Sequence, residues 1–157
     1  MPSLRTVRRP SPVLASQTNG NATVPLQRIR ALLVSPDMEV RRPLLRALEA
    51  LSADVIVCST RAQGEEVLST QTVEIVFCDE HLPDGSYCDL IHSFDSDHGI
   101  PRVVVTTRTG EWELYFEATT KGAFDVIRSP WYTTDVQMAV IRALREQDHA
   151  ASSRAVA

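Results

Sequence analysis

The stretch VEIVFCDEHLPDGSYCDLI, residues 73–91, decides the fold. An apolar run from Val73 to Cys78 stops on an acid, Asp79, and Leu82, Pro83, Asp84 and Gly85 then supply turn residues before a helical pattern begins. Further apolar runs lie on either side, at Ile29 to Val34, Val55 to Cys58, Val103 to Val105 and Val126 to Ile127. They are short, rich in β-branched residues, and lack the in-out alternation of a half-exposed strand. Runs of this kind suit the central strands of a sheet covered on both faces.

Helical patterns separate the runs. Val40, Leu44, Leu48 and Leu51 recur at three- and four-residue spacing, as do Val136, Val140, Ala143 and Leu144, so each stripe has one face to bury. Thr60 with Gln63 and Thr134 with Gln137 fit the capping box and predict helix starts there. Gly122 stands where a helix should stop. Pro43 conflicts with the first helix, where an interior proline costs about 3 kcal/mol or bends the helix unless the helix starts late. The repeated strand-helix alternation with right-handed crossovers predicts an α/β fold, a doubly wound five-stranded parallel sheet in the order 2-1-3-4-5. Ligand sites in such sheets lie beyond the carboxyl ends of the strands. That singles out Ser35, Pro36 and Asp37, then Ser59, then Asp79 to Gly85, then Thr106 and Thr107, then Arg128 to Trp131.

Size and charge set limits on function. A chain of 157 residues can build one well-buried core but not two ordinary domains. The expected division is a disordered basic tail over 1–27, rich in Pro, Ser, Thr and Asn, one domain over 28–146, and a short C-terminal tail over 147–157. No apolar run approaches the roughly 20 residues that span a bilayer, and the N-terminus lacks the apolar core of a secretory signal. A cytoplasmic location without a membrane partner is expected. The net charge of -4 is uneven, because Arg5, Arg8, Arg9, Arg28 and Arg30 all precede the first acid, Asp37. An acidic body repels phosphate backbones, so no nucleic-acid partner is expected. Cys58, Cys78 and Cys88 have no zinc-ligand spacing and read as buried thiols. His81, His92, His98 and His149 have no ligand spacing either and read as loop or solvated side chains.

Asp79 at the tip of the third run, the Leu82-Pro83-Asp84-Gly85 turn, Thr106 at the tip of the fourth run, and KGAFDVIRSPW over 121–131 occur in a telling order and spacing. Over about residues 28 to 146 the chain resembles the receiver domain of bacterial two-component response regulators, a flavodoxin-like fold. The resemblance implies a phosphoprotein of a phosphorelay, with Asp79 as phosphoacceptor and Thr106 as the switch hydroxyl. It also implies Mg2+ held by oxygen ligands that include an acidic pair after the first strand, a lysine before the proline of the fifth strand, and an aromatic switch residue on that strand.

At these places the sequence departs. Ser35 and Pro36 stand at the acidic pair, with Asp37 one residue further on; Ser129 stands at the lysine and Val126 at the aromatic position. Arg128 adjoins Ser129, but successive strand side chains point to opposite faces, so it does not simply replace the lysine. Magnesium needs hard oxygen ligands in near-octahedral order, and Asp79 with a backbone carbonyl and Asp37 predicts weak binding or none. A unit charge pair at about 4 Å is worth about 4 kcal/mol at an effective dielectric of about 20. Losing that much slows phosphoryl transfer roughly a thousandfold.

The expectation is therefore an atypical receiver with a degenerate site, acting by protein-protein interaction and not as an enzyme. Only residues 147–157 follow Glu146, so a stand-alone module without an output domain is expected. Its partners would be a histidine kinase, a downstream target or a second copy of itself. Their docking face would be built by the fourth helix, fifth strand and fifth helix with Trp112, Tyr115, Trp131 and Tyr132. One alternative is a working phosphorelay receiver, phosphorylated on Asp79 by a histidine kinase. Another is a small flavodoxin-like enzyme, against which count the missing nucleophile-base-acid set at the strand tips and the missing glycine-rich phosphate loop after the first strand.

Overall fold

Side chains alternate along each strand, and here both sets are buried: Ala31 and Leu33 of the first strand enter one core, Leu32 and Val34 the other. The computed structural model describes residues 5–6, 28–94 and 99–155. Five parallel strands, β1 (Arg30–Val34), β2 (Asp54–Cys58), β3 (Ile75–Asp79), β4 (Arg102–Thr107) and β5 (Asp125–Arg128), lie in the expected order β2-β1-β3-β4-β5. Between and after them run α1 (Met38–Ala50), α2 (Arg61–Thr70), α3 (Tyr87–His92), α4 (Trp112–Thr120) and α5 (Thr133–Ala155).

One core joins α1 and α5 to the sheet through Leu44, Leu48, Phe77, Val104, Val136 and Val140. The other gathers Val67 of α2, Leu90 of α3 and Ala118 of α4 against Val76, Val103 and Val105. Among the described residues no helix is long and apolar enough to cross a membrane.

Helix starts depart from the sequence pattern where two acceptors compete. Asp37 caps α1, its Oδ1 accepting the Glu39 N–H at 2.8 Å, so the helix does not start late. Pro43 lies in its second turn and has no N–H to donate to the Glu39 carbonyl. Thr60 caps α2 as expected, but the Gln63 side chain accepts from Ser59 N–H at 2.9 Å instead of closing the box on Thr60. The expected start at Thr134 moves back: α5 opens at Thr133, and Asp135 Oδ2 accepts the Tyr132 N–H at 2.8 Å, a stronger acceptor than Gln137 offers. At the end of α4, Gly122 takes φ +106° and Ala123 N–H bonds to Ala118 O at 2.9 Å, the left-handed stop that its position suggested.

Both expected tails contain helix or strand within the described residues. Helix α5 continues through Ala155, with residues 148–154 exposed. In the N-terminal span, Arg5–Thr6 pairs antiparallel with Val57 and Ile56 on the outer edge of β2, giving the parallel sheet a sixth, two-residue strand. The rest of 1–27, His98, and residues 156–157 lie outside the described residues.

Candidate functional site

Parallel register sets Asp79, the last residue of β3, beside Thr106 of β4 at the carboxyl edge of the sheet. Thr106 Oγ1 donates to Asp79 Oδ1 at 2.5 Å. From β1's end the fully buried Ser35 donates to Oδ2 at 2.6 Å, and its Oγ accepts the Asp37 N–H at 3.1 Å. Both carboxylate oxygens thus hold a hydroxyl. Burial pushes the Asp79 carboxyl above its ordinary range, while the two hydroxyl bonds and the nearby Arg41 charge pull it part of the way back.

Arg41, which sequence reasoning passed over as one more helix residue, pins two strand ends from α1. Its Nε donates to Ser35 O at 2.5 Å and its Nη2 to Cys58 O at 3.3 Å and Ser59 Oγ at 2.5 Å. Above Asp79 lies a crevice of about 310 Å³, walled by Pro36, Val40, Thr107, Arg108 and Trp131. Asp37 does not turn toward Asp79: one oxygen caps α1 and the other pairs with Arg108 from the loop after β4. Glu80 is also engaged, its Oε2 accepting Thr107 Oγ1 at 2.8 Å.

The turn after Asp79 is held from the side. Asp84 accepts the backbone N–H groups of Arg61 at 2.7 Å and Ala62 at 3.0 Å, capping α2 from another loop. Slight burial raises the Asp84 carboxyl, but these backbone bonds outweigh it and leave the group below its usual value. Gly85 is required there: its φ is +153°, and a Cβ would stand 2.7 Å from Asp89 Oδ2.

Among curated proteins the chain is similar to the response regulator protein PilR of Pseudomonas aeruginosa, 27% identical over 120 residues that make up 76% of this chain and 27% of PilR. It spans about a quarter of the length of the curated relatives it matches. The structure is similar to NtrX from Brucella abortus at a TM-score of 0.73 and 18% identity, covering 83% of this chain and 30% of that one. A CheY-like response regulator receiver domain protein from Methanospirillum hungatei aligns at 0.70 and 19% identity, over 79% of this chain and 99% of that one. The chain has the receiver-domain fold. No protein-family model matches it.

Within this receiver fold the magnesium that the fold implies meets a poor donor set. Ser35 offers a neutral hydroxyl already bonded to Asp79, Asp37 is committed to α1 and Arg108, and a guanidinium stands among the carboxylates. Among the described residues no three His, Cys, Asp or Glu side chains are grouped to hold a metal. Ser129 contributes its backbone N–H to Thr107 O at 2.8 Å, and among the described residues no partner holds its hydroxyl. Val126 is half-buried in the core of the α2–α4 layer. Arg128 lies over Gly110, where no Cβ would fit, and so points to the β4–α4 loop.

The aromatic residues divide. Trp112, Tyr115 and Tyr132 are exposed, as is Phe116, which the sequence pattern did not single out. Trp131 instead is half-buried, packed against the α1–α5 core at the crevice wall. Cys58 and Cys78 are buried as expected; burial pushes the Cys58 thiol up to about 11 and raises that of Cys78 further. Both are poor nucleophiles. His81 is exposed, 3.5 Å from Glu80 Oε1.

Proposed function

We propose that the chain is a regulatory receiver module of two-component signalling that acts by binding protein partners, with phosphorylation of Asp79 weak or absent. The observation that carries this reading is the neutral Ser35 hydroxyl bonded to Asp79, with Asp37 tied to α1 and Arg108 instead of facing Asp79. A carboxylate that attacks phosphorus needs positive charge to offset its own charge and that of the phosphoryl oxygens. Here Ser35, Pro36 and Ser129 bring neither anionic metal ligands nor a lysine charge. Magnesium would bind weakly if it binds. The similarity to proteins named as response regulators favours regulation over catalysis.

The partner surface in this reading is the exposed aromatic face of α4 with Tyr132, while Trp131 supports it from the crevice wall. The partners are signalling proteins such as a histidine kinase or its target, or a second copy of the chain. A second reading, a phosphorelay receiver that a histidine kinase does phosphorylate, draws on the intact Asp79–Thr106 pair.

Acetyl phosphate labelling in magnesium, followed by mass spectrometry, separates the two. The natural chain should label slowly. A variant carrying Ser35→Asp, Pro36→Asp and Ser129→Lys should label up to about a thousandfold faster. Rapid labelling of the natural chain that Asp79→Asn abolishes would overturn the first reading and leave the second.

A further inference from the structure

Two loops meet above Asp79. The β1–α1 loop carries Asp37, the β4–α4 loop carries Arg108, and the guanidinium pairs with Asp37 Oδ2 across the mouth of the crevice that Asp79 floors. The Arg108 side chain is 68% exposed and that of Asp37 27%, so the cation closes over the acid from the solvent side. Thr109 N–H bonds to Thr107 Oγ1 at 3.1 Å, which anchors the loop at its root. Only Gly110 and Glu111 then precede α4.

We propose that Arg108 is a tethered cation that takes the place of a bound metal in this crevice, neutralising Asp37 and fixing the start of α4 without any divalent ion. A guanidinium is well suited to this: it stays charged at every physiological pH, is weakly hydrated, and presents coplanar N–H groups to a carboxylate. Magnesium is held by one or two carboxylates with water completing its octahedron, and beside Asp79 this crevice offers it Asp37. One Asp37 oxygen caps α1 and the other holds Arg108, so to use this second carboxylate the ion competes with a side chain covalently attached to the same molecule and approaches against its charge. The loss of the acidic pair and the presence of Arg108 are then one arrangement, in which the positive charge belongs to the chain. This assignment rests on the receiver reading for the location of the cation, but its test involves no phosphorylation, so the two can fail separately.

The experiment is a magnesium titration of the natural chain, Arg108→Gln, Arg108→Lys and the double variant Asp37→Asn with Arg108→Gln. Binding is read by tryptophan fluorescence, since Trp131 lines the crevice, and by the shift in melting temperature. Arg108→Gln should gain magnesium affinity by about tenfold or more, as expected for removing one positive charge beside the ion. Arg108→Lys, which keeps the charge, should behave like the natural chain. The double variant should lose the gain, because the liberated carboxylate is gone. Circular dichroism checks the fold, and the exposed Arg108 leaves no core space behind. Equal affinity in the natural chain and Arg108→Gln overturns the proposal, as does a gain that persists without the Asp37 carboxylate or appears equally in Arg108→Lys.

Discussion

Helices α1 and α4 each begin in a loop at the mouth of the crevice, yet they dispose of their apolar side chains in opposite ways. α1 buries Val40, Leu44, Ala47 and Leu48, a stripe consumed by the core it shares with α5. α4 buries only Ala118 and sends Trp112 and Phe116 into solvent, 71% and 65% exposed, with Tyr115 beside them. These side chains also fall at i, i+3 and i+4, and the Trp112 and Phe116 rings lie 6.4 Å apart, so they too form a stripe. Helical spacing alone says that a stripe exists, not which way it faces. An apolar stripe turned to water has no role in holding this domain together, and patches of this kind mark surfaces used for association. One helix spends its apolar face on the core, and the other leaves its own in solvent, as the partner surface proposed above requires.

Substitutions can break that contrast. The largest effect is expected for Leu44→Ala, which removes a fully buried side chain between α1 and the sheet: urea unfolding should show a loss of about 3 kcal/mol. A loss under about 1 kcal/mol would mean that α1 does not anchor the core. Trp112→Ala should leave stability within about 0.5 kcal/mol of the natural chain, as exposed positions do. The same change should weaken binding of a signalling partner, or self-association, by about 2 kcal/mol in calorimetry. A stability loss of about 2 kcal/mol or more in this variant, with the affinity of its folded molecules unaltered, would reverse the roles of the two helices.

The smallest effect belongs to the crevice between them. Burial leaves Asp79 with a folded-state pKa above its ordinary value, so the unfolded chain releases this proton first as pH rises. Its contribution to stability is fully present below the unfolded value of about 3.9 and is lost as pH climbs through the higher folded value. Asp79→Asn lacks that step. The stability difference between the two chains should therefore move in favour of Asn between about pH 3 and neutrality; a constant difference across that range would show that the carboxylate is not desolvated.

Strand order and the Asp79–Thr106 pairing were legible because both follow from local signals: an apolar run, its last residue, and the rule that parallel strands align their tips. Ser35 was singled out for the same reason. Arg108 was missed because its role depends on Asp37, far away in the chain, and no local pattern records such a pairing. Arg41 looks like any helix arginine until two strand ends converge beneath it. Trp131 follows a proline in a loop, which reads as exposed, and only the packing of α1 and α5 shows that it has a core to lean on. Arg5–Thr6 gave no signal because the β2 edge, not its own composition, supplies the pairing.

Helix α5 is longer than the sheet it packs on. Its inner part is gripped through Val136, Ala139, Val140 and Ala143, whereas residues 148–154 touch little and remain helical. Extending a helix that is already nucleated needs no new nucleus, so the projecting part is held by the turns before it. At about 1.5 Å per residue it forms a rod of about 10 Å standing clear of the body. Such a rod is a pointer: a small tilt of the gripped part sweeps its tip through a larger arc, so a spin label or dye at Ala151 would report movements of α5 too slight to see at the core itself.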